Sequence, residues 1–375
     1  MKRIVIIFLL LALLPMRSLA LEPEGKSVIL MEASTGTVLF EKDADLPLAP
    51  ASVTKVMTML LIMEAIDSGA LHWEDTVTAS ASAAAKGGSQ VYLKEGETMT
   101  VRDMLKSIAV SSANDCACAM AEHIAGSEGA FVERMNRRAQ ELGMAHTRFV
   151  NCTGLDDGPE ASEHKTTARD IAIMSRELLT KHPDIKEFTT IWMDTIRNGA
   201  FGLSNTNKLV RFYPGATGLK TGFTASAMYC LSATAQRDGM ELIAVVMGAP
   251  SSAARFTACK QLLDYGFAGW AVYTPELPED TAVPVRLGKA ETVRAALEAE
   301  PVLVEKGKLS SIRTEVTMEE ELPAPVAEGQ HIGTLRIFAG EELLAELPLT
   351  AENTVEKLTW ADIFLDLLKK TAFGG

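Results

Sequence analysis

The sequence predicts an α+β chain in three parts: a domain of antiparallel sheet with helices, a small all-β domain, and an amphipathic C-terminal helix. Three observations carry this expectation. Helical segments fall between an early strand pair and late antiparallel strands, so distant segments close the sheet of the first domain. After Tyr273-Thr274-Pro275 the pattern changes to short alternating runs punctuated by Gly and Pro. From Val355 onward apolar residues recur at helical spacing.

In chain order, Met1–Ala20 reads as an export signal. Lys2 and Arg3 precede an apolar run from Ile4 to Leu14, and Ser18-Leu19-Ala20 offers small residues for cleavage. That run is short for a membrane span of about 20 residues, which favours cleavage over an uncleaved anchor. Lys26 to Phe40 alternates around Ser34-Thr35-Gly36 and reads as a β-hairpin. Ser52 to Asp67 reads as a helix apolar on nearly every side, hence buried. Helices are expected at Thr100–Ala109 and Asp115–Ala125, joined by the Ser112-Ala113-Asn114 turn, and again at Ala130–Leu142 and Thr167–Thr180. Gly218 to Phe223 leads into two strands, Met228–Gln236 and Leu242–Gly248, split by an Asp238-Gly239 turn. Ala253–Leu263 reads as a further helix.

The second domain should hold strands at Ala282–Leu287, Pro301–Val304, Ile312–Thr317, Thr334–Phe338 and Leu343–Leu347, and its simplest role is a spacer. Beyond it, Val355, Leu358, Trp360, Ile363, Phe364, Leu367, Leu368 and Phe373 gather on one helix face. Glu356, Asp362, Asp366, Lys369 and Lys370 fall mostly on the other. This pattern fits a helix in a membrane interface, with Trp360 and the terminal lysines near the headgroups. A helix docked on its own protein is the alternative. The expected division is 1–20, 21–272, 273–352 and 353–375.

Composition excludes some functions. The net charge of −13 becomes about −16 once Lys2, Arg3 and Arg17 leave with the signal, which argues against nucleic acid as a partner. Cys116, Cys118, Cys152, Cys230 and Cys259 show no C-x-x-C and no zinc spacing with the six scattered histidines, so no metal or cofactor is expected. The five read as buried small apolar residues, with at most one adventitious bridge.

Three motifs carry the chemistry: Ser52-Val53-Thr54-Lys55, Ser112-Ala113-Asn114 and Lys220-Thr221-Gly222. About one S-x-x-K and one S-x-N arise by chance in such a chain, but only about a tenth of a K-T-G, so their ordered conjunction is informative. A serine hydroxyl needs a base within hydrogen-bond reach. Three residues apart on a helix, Ser52 and Lys55 share a face. A helix starting at Ser52 would also aim free N–H groups at the hydroxyl, making the Ser52 N–H half of an oxyanion hole. Lys55 can serve as base once burial and a neighbouring cation lower its pKa. Ser112 is suited to relay a proton to or from a leaving amine, and Asn114 to hold a substrate backbone, although a helix cap explains Ser112 equally well. Lys220 and Thr221 can hold a carboxylate, Gly222 admits a ligand close to the strand, and the Phe223 N–H can complete the oxyanion hole. A substrate would then add as an extra strand to an exposed sheet edge.

In their contexts these residues resemble the penicillin-recognising serine enzymes. Pro50-Ala51-Ser52-Val53-Thr54-Lys55, Ser111-Ser112-Ala113-Asn114-Asp115 and Gly218-Leu219-Lys220-Thr221-Gly222-Phe223-Thr224 look like the low-molecular-mass D-alanyl-D-alanine carboxypeptidases. His164-Lys165-Thr166-Thr167-Ala168-Arg169-Asp170 and Asn205-Thr206-Asn207-Lys208-Leu209 do so as well. The resemblance runs from about Leu21 to the C-terminal helix. It implies a β-lactamase/transpeptidase-like first domain and acyl transfer from peptidoglycan pentapeptide stems, in which Ser52 attacks the penultimate D-alanine and water then hydrolyses the ester. It further implies a long-lived Ser52 acyl-enzyme with β-lactams, Arg255 as a ligand for the terminal carboxylate, and a peripheral place on the outer face of the cytoplasmic membrane. Lys55 takes the role of deacylation base by default.

Other readings share parts of this pattern. A class A β-lactamase would add an E-x-x-L-N loop, and none lies between Asn114 and Lys220. A glutaminase of the superfamily would lack the signal peptide. A catalytically inactive wall-binding scaffold has no reason to keep Ser52, Lys55, Ser112, Asn114 and Lys220 together. Cleavage of cross-linked peptides, as by an endopeptidase, stays open.

Overall fold

A computed structural model of the chain describes residues Leu21–Phe373; the expected signal segment Met1–Ala20 lies outside the described residues. The chain divides into two compact units. One comprises Phe40–Ala235 and Ile243–Tyr265 with the segment ending at Leu30, and the other Met31–Leu39, Gln236–Leu242 and the chain from Gly266 on.

The early hairpin forms from β1 (Ser27–Glu32) and β2 (Val38–Lys42), its turn tied by the Glu32 carboxylate, which accepts from the N–H groups of Ser34 and Thr35. Two short strand pairs follow, β3 (Thr76–Thr78) with β4 (Thr98–Thr100) and β5 (Met193–Ile196) with β6 (Phe201–Ser204). Next come β7 (Ala216–Thr224), β8 (Met228–Arg237) and β9 (Met240–Ala249). Among the described residues, the main sheet has the order β2-β1-β9-β8-β7, which places β7 at an edge. Distant segments do close this sheet, as the pattern implied.

Helices span Lys55–Asp67, Val101–Ser111, Asn114–Ala125, Glu128–Glu141, Ala168–Lys181 and Ser252–Gly269. The first is buried on all sides from Lys55 through Leu60, as its continuous apolar sequence requires. Two caps fall where the sequence offers them: Thr100 accepts from the Asp103 N–H and Thr167 from the Asp170 N–H.

The start at Ser52 is a correction. Ala51–Thr54 forms a 3₁₀ turn and the α-helix begins at Lys55. Ala51 stands in the left-handed region at φ 49°, which an α-helix cannot continue through, so Ser52 precedes the helix instead of capping it.

The smaller unit adds β10 (Trp270–Tyr273), β11 (Ala282–Arg286), β12 (Thr292–Leu297), β13 (Val302–Glu305), β14 (Ile312–Met318), β15 (Leu322–Pro323), β16 (His331–Ala339) and β17 (Glu342–Ala351). Its main sheet runs β14-β16-β17-β12-β11-β15, while β10 pairs antiparallel with β13. Val283, Val293, Ile332, Leu335, Ile337 and Leu349 fill its core. Alternate residues of β11 are buried, which is the period-two pattern of a sheet with one face on a core.

The final helix runs Trp360–Phe373, five residues later than its periodicity suggests. Val355 instead exchanges both backbone hydrogen bonds with Val326 at 2.9 Å and joins the β core at 3% exposure. Thr359 and Asp362 set the start by capping each other's N–H, at 2.8 and 3.2 Å. Trp360, Phe364, Leu365, Leu367 and Leu368 are exposed on this helix. The side chains of Asp366, Lys369, Lys370 and Phe373 lie outside the described part. No helix of the described residues is long and apolar enough to cross a membrane.

Candidate active site

The 3₁₀ turn and the helix after it bring Ser52 and Lys55 together. The Lys55 Nζ donates to Ser52 Oγ at 3.1 Å and to the Thr153 carbonyl at 2.8 Å. Lys55 has no solvent exposure, and burial lowers its pKa to about 7. Among the causes that act on Lys55, burial alone lowers its pKa, and the expected neighbouring cation does not contribute. That effect falls instead on Lys220, whose pKa is lowered chiefly by burial, with the charges of Lys55 and Arg255 adding to it. A carboxylate bound beside Lys220 would oppose all three causes. Gly154 has to be glycine here: its φ is 83°, and a Cβ would stand 1.9 Å from the Ala51 carbonyl oxygen.

Ser112 ends the Val101–Ser111 helix in the left-handed conformation, φ 63°, and Asn114, two residues on, opens the next helix. The turn therefore holds both side chains between two helix ends. Asn114 is tied down by its N–H to the Ser89 carbonyl and its Nδ2 to the Gly87 carbonyl, both at 2.7 Å. The buried Asp115 carboxylate, at the N-terminus of the same helix, accepts from the N–H groups of Val91 and Leu93 at 3.0–3.3 Å. The loop through Gly87 and Leu93 is thereby locked onto the Ser112 turn. Among the described residues, Ser112 Oγ and Asn114 Oδ1 are buried without a hydrogen-bond partner. Such atoms carry a desolvation penalty, and a ligand that pairs with them removes it.

Edge strand β7 supplies the third group. Lys220 and Thr221 are almost fully buried, with Lys220 Nζ donating to the Thr221 carbonyl at 3.0 Å. Thr221 Oγ1 donates to Thr206 Oγ1 at 2.7 Å, and the Thr206 N–H donates to the Val110 carbonyl at 3.2 Å. Thr206 thus bridges the Lys220 strand to the end of the helix that carries Ser112. Gly222 also makes room within the protein. A Cβ there would meet the Pro50 carbonyl oxygen at 2.7 Å and the Ser52 nitrogen at 3.1 Å, so it admits the serine turn itself against the strand. Phe223 is 54% exposed and lies over Tyr229 at 4.4 Å. Arg255, 8% exposed, donates from Nη1 to the carbonyls of Gly222 and Cys230 at 2.9 and 3.2 Å, and its Nε meets no partner among the described residues.

The five cysteines are free buried thiols, so the adventitious bridge is not formed. Burial raises the pKa of Cys116, and Cys230 is pushed up to about 11, which leaves these sulfurs weak nucleophiles at neutral pH. Among the described residues, no group of three or more His, Cys, Asp or Glu side chains is placed to hold a metal ion.

Sequence reasoning missed the supports of this site: Thr153, Thr206, Asp115 and the loop at Gly87. Thr206 and Asp115 stood inside the motifs that carry the resemblance, which was the available signal. Thr153 contributes a backbone carbonyl, so its side-chain identity carried none.

The geometry has counterparts among known proteins. Residues 16–251 match a family profile described as D-alanyl-D-alanine carboxypeptidase, and residues 277–357 match one described as penicillin-binding protein 5, C-terminal domain. The chain is 42% identical to the D-alanyl-D-alanine carboxypeptidase DacF of Bacillus subtilis, over 95% of this chain and 91% of that one. Among solved structures it is similar to penicillin-binding protein 5 from Haemophilus influenzae, with a TM-score of 0.76 and 30% identity, covering 90% of this chain and 98% of that one. It is also similar to penicillin-binding protein D2 from Listeria monocytogenes in its ampicillin-bound form, with a TM-score of 0.60 and 32% identity, covering 66% and 99%.

Proposed function

Since the chain belongs to the D-alanyl-D-alanine carboxypeptidase family of serine peptidases, we propose that Ser52 carries its acyl transfer on peptidoglycan stem peptides. The observation that carries this is the buried Lys55 amine, 3.1 Å from Ser52 Oγ and half neutral near pH 7. Lys55 takes the Ser52 proton as Oγ attacks the carbonyl of the penultimate D-alanine. The oxyanion meets the N–H groups of Ser52 and Phe223. Ser112 relays the proton from Lys55 to the departing D-alanine amine, which returns Lys55 to its neutral form, while Asn114 holds the peptide backbone. Lys220, Thr221 and Arg255 take the terminal carboxylate, and the peptide lies along the β7 edge as an added strand. Water then cleaves the ester, with Lys55 again as base. β-Lactams enter the same path and stop at the acyl-enzyme; the relative in its ampicillin-bound form supports the binding of a β-lactam.

Residues 21–272 carry this chemistry and the β-rich part from 273 serves as a spacer. Met1–Ala20 directs export, and the exposed apolar side chains of Trp360–Phe373 support a peripheral seat on the outer face of the cytoplasmic membrane. Sedimentation with membranes should be lost when the chain stops at Thr359; a truncated chain that still sediments would contradict the anchor.

The activity is tested by D-alanine release from a peptide ending in D-Ala-D-Ala. Release that one equivalent of ampicillin stops is the expected result. Rapid turnover of ampicillin with no D-alanine released would favour a β-lactamase instead.

The pH dependence has a defined sign. An amine is a base only when unprotonated, so with Lys55 at about 7 the acylation rate should fall about tenfold per pH unit below 7 and level off above it. Rate constants for labelling by a fluorescent β-lactam measure this. A flat profile, or a limb near the ordinary lysine value of about 10.4, would contradict Lys55 as base.

A further inference from the structure

We infer that His164 is a positioning residue for the oxyanion-binding N–H of Ser52, acting through the Thr54 hydroxyl and the Ala51 carbonyl. The inference rests on the reading of Ser52 as the acylated serine. It starts from hydrogen-bond directions. The Val150 N–H donates to His164 Nδ1 at 3.2 Å, so that nitrogen is bare and the proton sits on Nε2. Nε2 faces Thr54 Oγ1 at 2.7 Å and donates to it. Thr54 Oγ1 in turn donates to the Ala51 carbonyl at 2.8 Å. His164 and Thr54 are buried, at 3% and 0% exposure, so water does not compete for these bonds. Burial, then the nearby Lys55 charge, lowers the His164 pKa to about 4, so the ring keeps this neutral arrangement at working pH.

The final link is covalent. The Ala51 carbonyl and the Ser52 N–H belong to one planar trans peptide and point in opposite directions. Fixing the oxygen therefore aims the N–H. The Ser52 nitrogen itself lies 3.1 Å from where a Cβ on Gly222, the neighbour of Phe223, would stand. Chains of hydrogen bonds also polarise one another, so a carbonyl held by Thr54 and His164 makes the N–H a stronger donor. The surroundings confine the same oxygen: a Cβ at Gly154 would sit 1.9 Å from it. Holding Ala51 at φ 49° needs support of this kind, because a non-glycine residue there is strained.

A threonine that merely bonds back within its own turn can become valine with little change in rate. The relay predicts otherwise. Thr54→Val, of equal shape but without the hydroxyl, should slow acylation by a fluorescent β-lactam roughly ten- to hundredfold, below the loss of a whole oxyanion donor. Thr54→Ser should stay within about threefold, because a serine hydroxyl can make the same two bonds. The equilibrium affinity for the intact D-Ala-D-Ala peptide, measured in a Ser52→Ala background, should not follow this loss. His164→Gln, whose amide nitrogen can replace Nε2, should act more like the wild type than His164→Leu does; this pair carries the test if Thr54→Val does not fold. Labelling of folded Thr54→Val at the wild-type rate overturns the relay, and so does an equal loss in Thr54→Val and Thr54→Ser. An unlabelled wild-type protein would overturn the acyl-enzyme reading, and the relay with it.

Discussion

Ser52→Ala is expected to cut D-alanine release from a D-Ala-D-Ala peptide by at least about 10⁴-fold, to the background of the assay. Thr54 Oγ1 is committed to the Ala51 carbonyl and Thr221 Oγ1 to Thr206, and Lys55 Nζ reaches Ser52 Oγ while Ser112 Oγ has no hydrogen bond to that amine. Stability should hardly move. Ser52 is half-buried and its side chain receives one hydrogen bond, from Lys55, worth about 1 kcal/mol. A variant that is folded and inert is therefore the expected outcome, and calorimetry beside the assay checks both halves. Residual release within tenfold of wild type would remove Ser52 from the reaction.

Lys55→Met should lower acylation about 10²- to 10⁴-fold, the usual range for losing a positioned base. Its effect on stability runs the other way. The Lys55 pKa falls from 10.5 in the open chain to about 7 in the fold. Between those values the unfolded chain binds the extra proton, so stability rises with pH across that window and the lysine weakens the fold below it. At pH 7 that penalty is on the order of 4 kcal/mol. Methionine removes it, and leaves the Thr153 carbonyl without its lysine donor at a cost of about 1–3 kcal/mol. Relief of the buried amine outweighs the lost hydrogen bond. The variant should melt at or above the wild-type temperature at pH 7, and its stability should lose the rise between pH 7 and 10. A protein that is less stable at pH 7 and equally active would contradict the buried base. Stability given up at the catalytic residue is the expected trade at a preorganised site.

The parts of this molecule that were legible in its sequence share one property: their chemistry is local. Ser52 and Lys55 lie three residues apart, Ser112 and Asn114 share one turn, and Lys220, Thr221 and Gly222 are consecutive, so residue type and spacing state the arrangement directly. The buried Lys55–Asp67 helix was legible because its apolar run leaves no polar face. What escaped was non-local or carried by backbone. The Thr153 carbonyl reaches Lys55 across 98 residues, and Thr206 reaches Thr221 across 15. Strand β12, with the sequence Thr-Val-Arg-Ala-Ala-Leu, is rich in helix formers, yet its pairing with β11 and β17 overrides that preference. Val355 sits at a helical interval from Leu358, but its backbone pairing with Val326 holds it in the β core. At Gly222 the backbone is approached by the serine turn, a contact between segments distant in the chain that no local pattern states.

The most direct test of the central claim is the mass of the Ser52-containing proteolytic fragment after brief treatment with ampicillin. Opening of a β-lactam by a serine adds the whole molecule. The account predicts one adduct per chain, on Ser52, absent when the protein is first saturated with a D-Ala-D-Ala peptide. An adduct on any other residue, or none on a folded protein, would contradict it.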